Sequence, residues 1–216
     1  MLYINQRDYP DKPYITFTDE PENEEGKHTT VKSSGCGLCS SMMMVDRLLP
    51  NVSFTLDEAI EMSYRAHANN GSGTKFKRFT PELEKRFPIR CKRSMDYDEM
   101  IDCLRTGGSV IALCTRPADD SYMTTFTTDG HYILVLSEEP DGRVCILDPD
   151  YHEGKFEEYG RAGRVEVKGI FCYCTREVLE ADVAASEIHY YLFRRTDERS
   201  GYGREGYDRE NPERTV

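Results

Sequence analysis

Cys36 is the residue of this sequence whose setting best suits nucleophilic chemistry. It lies between Gly35 and Gly37 at the start of a predicted helix that runs from residue 36 to about 49. At a helix N-terminus, unpaired backbone N–H groups and the positive end of the helix dipole favour a thiolate, so we expect a lowered thiol pKa. The glycines lack a Cβ, which predicts that a substrate backbone can approach the sulfur. The same segment also fits a tight turn around a small residue.

A histidine and an aspartate further along the chain are the partners that a cysteine nucleophile needs. His131 begins one predicted strand, Asp148 follows another, and the loop between them, residues 137–142, is centred at position 139.5. In an antiparallel hairpin the numbers of paired residues have a constant sum, which is 279 here and is met by His131 and Asp148. Without a bulge the two stand opposite each other, with Cβ atoms about 4.5–5.5 Å apart. A carboxylate at that distance orients an imidazole, as in a nucleophile–base–orienter triad. The alternative is a cross-strand polar pair on a solvated face.

Attack of a thiolate on a carbonyl also requires hydrogen-bond donors for the oxyanion that forms. Gln6 is the single glutamine of the sequence and lies 30 residues before Cys36. Its side-chain amide and the backbone N–H of Cys36 could supply these donors. By spacing alone, a solvated polar residue near the N-terminus is the default interpretation.

Four segments in chain order resemble the C39-like cysteine peptidase family: residues 5–9 (NQRDY), 34–45 (SGCGLCSSMMMV), 130–136 (GHYILVL) and 147–149 (LDP). The resemblance spans about residues 3–150. It implies a papain-like α+β fold and a cysteine-dependent hydrolase acting on a peptide or another amide or acyl substrate. It also implies that Cys36 is the nucleophile, His131 the general base, Asp148 its orienter and Gln6 part of the oxyanion hole.

Two other functions are compatible with the same residues. Cys36 and Cys39 form a Cys-x-x-Cys pair before a helix, which is also typical of thiol–disulfide redox proteins. Such motifs normally follow a buried strand, whereas residues 32–35 are polar, and a redox function leaves His131 and Asp148 unexplained. The second possibility is a non-catalytic binding module on the same fold. We favour the hydrolase.

The remaining cysteines are expected to serve packing rather than chemistry. Cys103, Cys114 and Cys145 lie within apolar segments, where a free thiol behaves as a small hydrophobe. Cys172 and Cys174 are one residue apart, which is a poor match to the ligand spacing of a structural zinc site. No metal or cofactor is therefore predicted.

Composition and charge exclude several classes of partner. The chain has 216 residues, with 28 Lys and Arg against 39 Asp and Glu, for a formal net charge of −11. This surplus disfavours nucleic acid, whose binding depends on Lys and Arg. It also predicts an acidic surface around the cleft that prefers basic or neutral substrates. The sequence has no segment typical of a membrane span or secretory signal, so we expect a cytoplasmic protein. The oligomeric state does not follow from the sequence.

The elements that position these residues are predicted as helices first and strands afterwards, which indicates an α+β fold. After an irregular arm (1–34) and the helix at Cys36, helices are expected at 55–68, from N-cap Thr80, and at 94–106. A sheet of about five strands follows, at 109–115, 131–136, 143–147, 165–174 and 188–194. One domain is expected over residues 1–195, with a charged, disordered tail at 196–216.

Overall fold

The computed structural model of the protein describes residues 1–17, 29–69, 71–158 and 160–197. The acidic cluster at residues 19–25 and, from residue 198 onward, the predicted disordered tail lie outside this part of the chain. The division into a domain at 1–195 and a tail stays a prediction. No helix in the described ranges combines the length and the apolar character needed to cross a membrane.

Six α-helices and one short 3-10 helix (Gln6–Asp8) occur within the described ranges. The α-helices are α1 (Val31–Ser34), α2 (Cys36–Leu48), α3 (Leu56–Arg65), α4 (Phe76–Arg86), α5 (Tyr97–Arg105) and α6 (Arg176–Val183). The predicted helix at Cys36 is confirmed as α2. The predicted N-cap at Thr55 is also confirmed, because its side chain accepts a hydrogen bond from the Glu58 N–H.

The strands form one large antiparallel sheet and a small two-stranded ribbon. They are β1 (Pro13–Tyr14), β2 (Thr29–Thr30), β3 (Ile89–Ser94), β4 (Ser109–Thr115), β5 (Gly130–Glu138), β6 (Val144–Leu147), β7 (Val165–Lys168), β8 (Phe171–Cys174) and β9 (Tyr190–Arg195). β1 pairs with β2. The large sheet has seven strands in the order β3-β9-β4-β5-β6-β8-β7.

The mixed helix-and-sheet architecture agrees with the predicted class, but the prediction of about five strands is wrong. The apolar run at 165–174 is a hairpin rather than one strand, because Gly169 adopts a φ of +64° and reverses the chain between β7 and β8. β3 was missed because it is an edge strand with charged residues at Arg90, Lys92 and Arg93, which obscure the apolar alternation.

Two helix predictions are wrong at their N-termini. α4 begins at Phe76 rather than after Thr80, because the buried side chains of Phe76 and Phe79 hold an extra first turn against the core. Pro81 therefore lies inside the helix rather than at its first position. α5 begins at Tyr97, where Asp96 caps it by accepting hydrogen bonds from the N–H groups of Asp98 and Glu99.

Both faces of the large sheet are covered, which places the core on two sides of it. Along β5, Tyr132, Leu134 and Leu136 face the cluster formed with α1 to α4. Ile133 and Val135 face the cluster formed with α5 and α6. α2 packs on β5, and the Ser40 hydroxyl donates a hydrogen bond to the Tyr132 carbonyl at 3.1 Å. Since Ser40 lies one helical turn after Cys36, this contact fixes the start of α2 beside the start of β5.

Candidate active site

Cys36 is the first residue of α2 and is one of the residues that line a surface cleft. Its side chain is 8% exposed, and the cleft has a volume of about 600 Å³. One wall consists of residues 72–78, which lead into α4, and the other of residues 129, 130 and 185–188. A thiol at this place can meet a small substrate group without being freely open to solvent.

The glycines on either side of Cys36 do not open a path to the sulfur, contrary to the expectation. A Cβ on Gly37 would lie 2.6 Å from the Thr74 Cβ, and a Cβ on Gly35 would lie 2.5 Å from the Val31 carbonyl oxygen. Both positions are glycine because the protein itself fills the space where a side chain would go. Their role is close packing at the start of α2.

His131 and Asp148 are in contact, with 2.7 Å between His131 Nε2 and Asp148 Oδ1. The predicted register is wrong, since Leu134 pairs with Leu147 and the paired numbers sum to 281 rather than 279. Beside the turn the paired numbers sum to 282, because the loop is centred later than predicted, and a β-bulge between Val135 and Ser137 brings the sum back to 281. Two residues of displacement make His131 and Asp148 diagonal neighbours on the same face, still within reach of an imidazole and a carboxylate.

The Asp148 carboxylate is fully buried and has three hydrogen-bond donors. Oδ1 accepts from His131 Nε2 and from the Asp150 N–H at 2.8 Å, and Oδ2 accepts from Lys155 Nζ at 2.7 Å. Burial by itself raises the pKa of Asp148, but the charges of Lys155 and His131 outweigh it and hold that pKa well below its ordinary range. Asp148 is therefore an anion enclosed between two cationic groups.

The His131 imidazole is 5% exposed and strongly affected by its neighbours. Burial lowers its pKa and Lys155 lowers it further, whereas the Asp148 charge and hydrogen bonds with Asp148 and the Cys36 side chain raise it. The balance places the pKa of His131 at about 9. At neutral pH the ring is consequently an imidazolium. Since Nε2 faces Asp148, Nδ1 is the ring nitrogen left for Cys36.

Gln6 is buried at the junction between the N-terminal segment and the helix pair α1–α2. Its Nε2 donates to the Lys32 carbonyl at 2.7 Å, and its backbone N–H donates to the Pro149 carbonyl at 2.7 Å. Lys32 belongs to α1, the short helix that directly precedes Cys36 and α2. Among the described residues, Gln6 Oε1 has no hydrogen-bond partner.

The structure adds one residue that the sequence did not reveal, which is Lys155. Its side chain is 3% exposed, and it reaches Asp148 from an irregular segment after β6. The surrounding residues are polar and have neither helical nor strand periodicity, so the pattern contains no signal for a buried lysine. Lys155 lies close to Asp148 in the sequence, seven residues after it, but this spacing alone does not predict a contact.

Cys39 is fully buried one turn into α2, which makes it a poor partner for thiol–disulfide exchange. Burial, and next the neighbouring Cys36, raise the pKa of its thiol well above the ordinary value. All eight cysteines are free, and Cys103, Cys114 and Cys145 are buried as expected. In the described part of the chain, no group of three or more His, Cys, Asp or Glu side chains is arranged to hold a metal ion.

The charges at the cleft differ from the acidic surface expected from the net charge. Lys75, Lys77 and Arg78 line one wall, against Asp129 and Glu187 on the other. Lys77 and Glu187 form an ion pair at 2.7 Å. The cleft is therefore of mixed charge, because the acidic surplus of the chain lies mostly elsewhere.

Comparison with known proteins yields limited likeness. No family model matches the sequence, and no curated protein matches it. Among solved structures, a similar chain is the crystal structure of a candidate C39-like peptidase from Bacillus anthracis, with 13% sequence identity and a TM-score of 0.47. The alignment covers 74% of this chain and 88% of that chain. At this level the likeness transfers no function to the present protein.

Proposed function

We propose that this protein is a cysteine-dependent hydrolase of papain-like fold that cleaves a peptide or another amide or acyl substrate in the cleft at Cys36. The observation that carries the proposal is the buried contact of 2.7 Å between His131 Nε2 and Asp148 Oδ1, on an imidazole that also bonds the Cys36 side chain. A cysteine, an imidazole and a carboxylate linked in this order form a nucleophile, an acid–base group and its orienter.

The reaction begins with a thiolate at Cys36 beside the His131 imidazolium. The sulfur attacks the substrate carbonyl carbon, an S–C bond forms, and the carbonyl electron pair becomes an oxyanion. As the intermediate collapses, the bond to the leaving group breaks and His131 donates its proton to that group. The neutral imidazole then takes a proton from water, which attacks the thioester, releases the acid and regenerates the thiolate and imidazolium.

The oxyanion needs donors near the start of α2. The first N–H groups of a helix have no partners within the helix, and those of α2 begin at Cys36. Gln6 Nε2 uses one hydrogen on the Lys32 carbonyl, and its second hydrogen is the donor that we assign to the oxyanion. We expect Gln6→Ala to lower turnover by about 10²-fold or more while the protein stays folded.

Selective alkylation tests the thiolate–imidazolium pair without knowledge of the substrate. The protein is treated with limiting iodoacetamide at about pH 6, where an ordinary thiol is protonated, and the label is mapped by mass spectrometry. We expect label on Cys36 and little on Cys91, the one cysteine of the eight that is not buried and thus an internal control. His131→Ala should abolish the selectivity, whereas His189→Ala, outside the site, should retain it.

Three results would count against the proposal. Equal, slow labelling of Cys36 and Cys91 would show that Cys36 is an ordinary thiol. Selective labelling without hydrolysis of any member of a broad peptide, isopeptide and ester library would indicate a binding module. Reduction of insulin that depends on both Cys36 and Cys39 would instead identify a redox protein.

A further inference from the structure

Lys155 is a buried cation that contacts Asp148, the carboxylate bonded to His131. Its Nζ lies 2.7 Å from Asp148 Oδ2, 3.4 Å from the Asp150 carbonyl oxygen and 3.6 Å from Asp150 Oδ2. A lysine that loses its hydration needs strong compensation, which here comes from a fully buried anion. The contact is therefore a specific one rather than a chance approach of a surface side chain.

A second buried cation in the same segment provides a comparison. Arg161 is 5% exposed, and its guanidinium donates to the Thr124 carbonyl and to Glu158 at the surface. These contacts hold a loop in place and lead to no titrating group of the site. Lys155 differs, since its charge acts on a carboxylate whose other oxygen is bonded to the imidazole.

We propose that Lys155 is a positioning residue of this site, which fixes Asp148 Oδ2 so that Oδ1 stays on His131 Nε2, and whose positive charge opposes that of Asp148 beside the imidazole. The inference rests on the proposed hydrolase function for its catalytic meaning. The supporting geometry does not depend on that function. It consists of two contacts of 2.7 Å, from Lys155 Nζ to Asp148 Oδ2 and from Asp148 Oδ1 to His131 Nε2.

The electrostatics of the chain explain why a cation is useful at this place. Without Lys155, Asp148 would raise the pKa of His131 further. An imidazolium with too high a pKa is a poor general acid, because it protonates a leaving group slowly. Lys155 opposes Asp148 at His131, while it also keeps the buried Asp148 ionised. One lysine thus preserves the anion and moderates the anion's effect.

The other titratable groups around His131 and Asp148 cannot substitute for this charge. Cys114 on β4 pairs with His131 across the sheet, and Cys172 on β8 and Tyr3 face Asp148. Burial raises the pKa of each of these two thiols and of the Tyr3 hydroxyl well above the ordinary value for its type, so all three groups are neutral near pH 7. Cys36 on α2 and Asp150 complete the surroundings. Lys155 is the cation of this group besides the imidazolium itself.

The test is the titration of His131, followed by NMR of the imidazole in matched variants. In Lys155→Gln, which retains a hydrogen-bond donor but no charge, we expect the pKa of His131 to rise by about one unit. Lys155→Arg retains the charge and should leave that pKa within a few tenths of the wild-type value. Arg161→Gln, which removes the other buried cation of the segment, should leave it unchanged.

A second pair of variants tests the effect of the Lys155 charge on His131 if Lys155→Gln does not fold. Asp148→Asn retains Lys155 beside Asp150, and Asp148→Asn combined with Lys155→Met replaces both members of the buried ion pair by neutral side chains. The pKa of His131 should be higher in the double variant than in Asp148→Asn. Equal values there, or a Lys155→Gln titration identical to wild type, would overturn the proposal.

Failure of the hydrolase proposal would be distinguishable from failure of this one. The His131 titration requires no substrate. A shift of the His131 pKa in Lys155→Gln, without turnover in any variant, would support the role of Lys155 and contradict the hydrolase proposal. Turnover in the wild type with an unshifted titration in Lys155→Gln would do the reverse. A shift in Lys155→Arg as large as in Lys155→Gln would show that shape rather than charge matters, and would also contradict the proposal.

Discussion

Two aspartates of this protein are equally buried, yet their surroundings shift their pKa values in opposite directions. Asp148 and Asp182 both have no exposed surface. Asp148 accepts hydrogen bonds from His131 and Lys155, whose charges hold its pKa below the ordinary range. In Asp182, on α6, burial raises the pKa, and its backbone and hydroxyl donors only partly offset that effect.

The comparison teaches that burial does not decide the state of a carboxylate, whereas the charge of its donors does. Asp182 accepts from the N–H groups of Thr125 and Phe126 and from the Tyr122 hydroxyl, all of them neutral. Such an aspartate ties a loop to a helix. An aspartate between two cations, with one of them an imidazole at a cleft, is suited to orient a group that exchanges protons.

The largest expected effect comes from Asp148→Asn, which removes the anion but keeps the shape. We expect turnover of the substrate to fall by about 10³-fold or more, since the imidazole loses both its orientation and the stabilisation of its protonated form. Asp182→Asn is the matched control and should retain wild-type turnover. Both rates are measured at a temperature at which circular dichroism shows folded protein. Equal losses in the two variants would remove the distinction between the two sites.

A smaller effect is expected on stability at the second site. Asp182→Ala leaves the N–H groups of Thr125 and Phe126 without their acceptor, and each buried unpaired donor costs about 1–3 kcal/mol. The free energy of unfolding, from urea titration near pH 7, should fall by about 2–6 kcal/mol, while Cys36 alkylation at about pH 6 stays selective. A loss of that selectivity would show that the loop supports the active site.

The smallest effect is a difference in how the two aspartates respond to acid. The pKa of Asp148 is lower in the folded than in the unfolded protein, so its contribution to stability is present above about pH 4 and is lost as the pH falls. The pKa of Asp182 is raised on folding, so its contribution becomes more favourable as the pH falls through that raised value. The stability difference between wild type and Asp148→Asn should therefore shrink between about pH 5 and 3, and that for Asp182→Asn should grow. If both stability differences changed with pH in the same direction, the opposite pKa shifts of Asp148 and Asp182 would be contradicted.

The sequence predicted the main elements where local pattern and packing agree. α2 and β4 follow from apolar spacing and lie where predicted, and so does the cap at Thr55. The edge strand β3 was not predicted, because an edge strand tolerates charged residues that hide its apolar alternation. The turn at Gly169 was not predicted either, because a single glycine within an apolar run is weak evidence for a turn. The start of α4 at Phe76 depends on contacts with distant residues.

For the candidate site, the sequence by itself determined the types and order of its proposed groups: Gln6, Cys36, His131 and Asp148. It also predicted that His131 and Asp148 meet, although the observed register differs from the predicted one by two residues. A shift of two keeps side chains on the same face of a sheet, which is why a wrong register still led to the right contact.

Only the tertiary structure decided what surrounds those groups. It filled the space beside Gly35 and Gly37 with protein, buried Cys39, and placed Lys155 against Asp148. Lys155 belongs to an irregular segment, and its burial depends on a carboxylate held in place by strands from other parts of the chain. Local sequence specifies helices and strands through periodicity, whereas the charge environment of a buried group depends on which distant residues the fold brings to it.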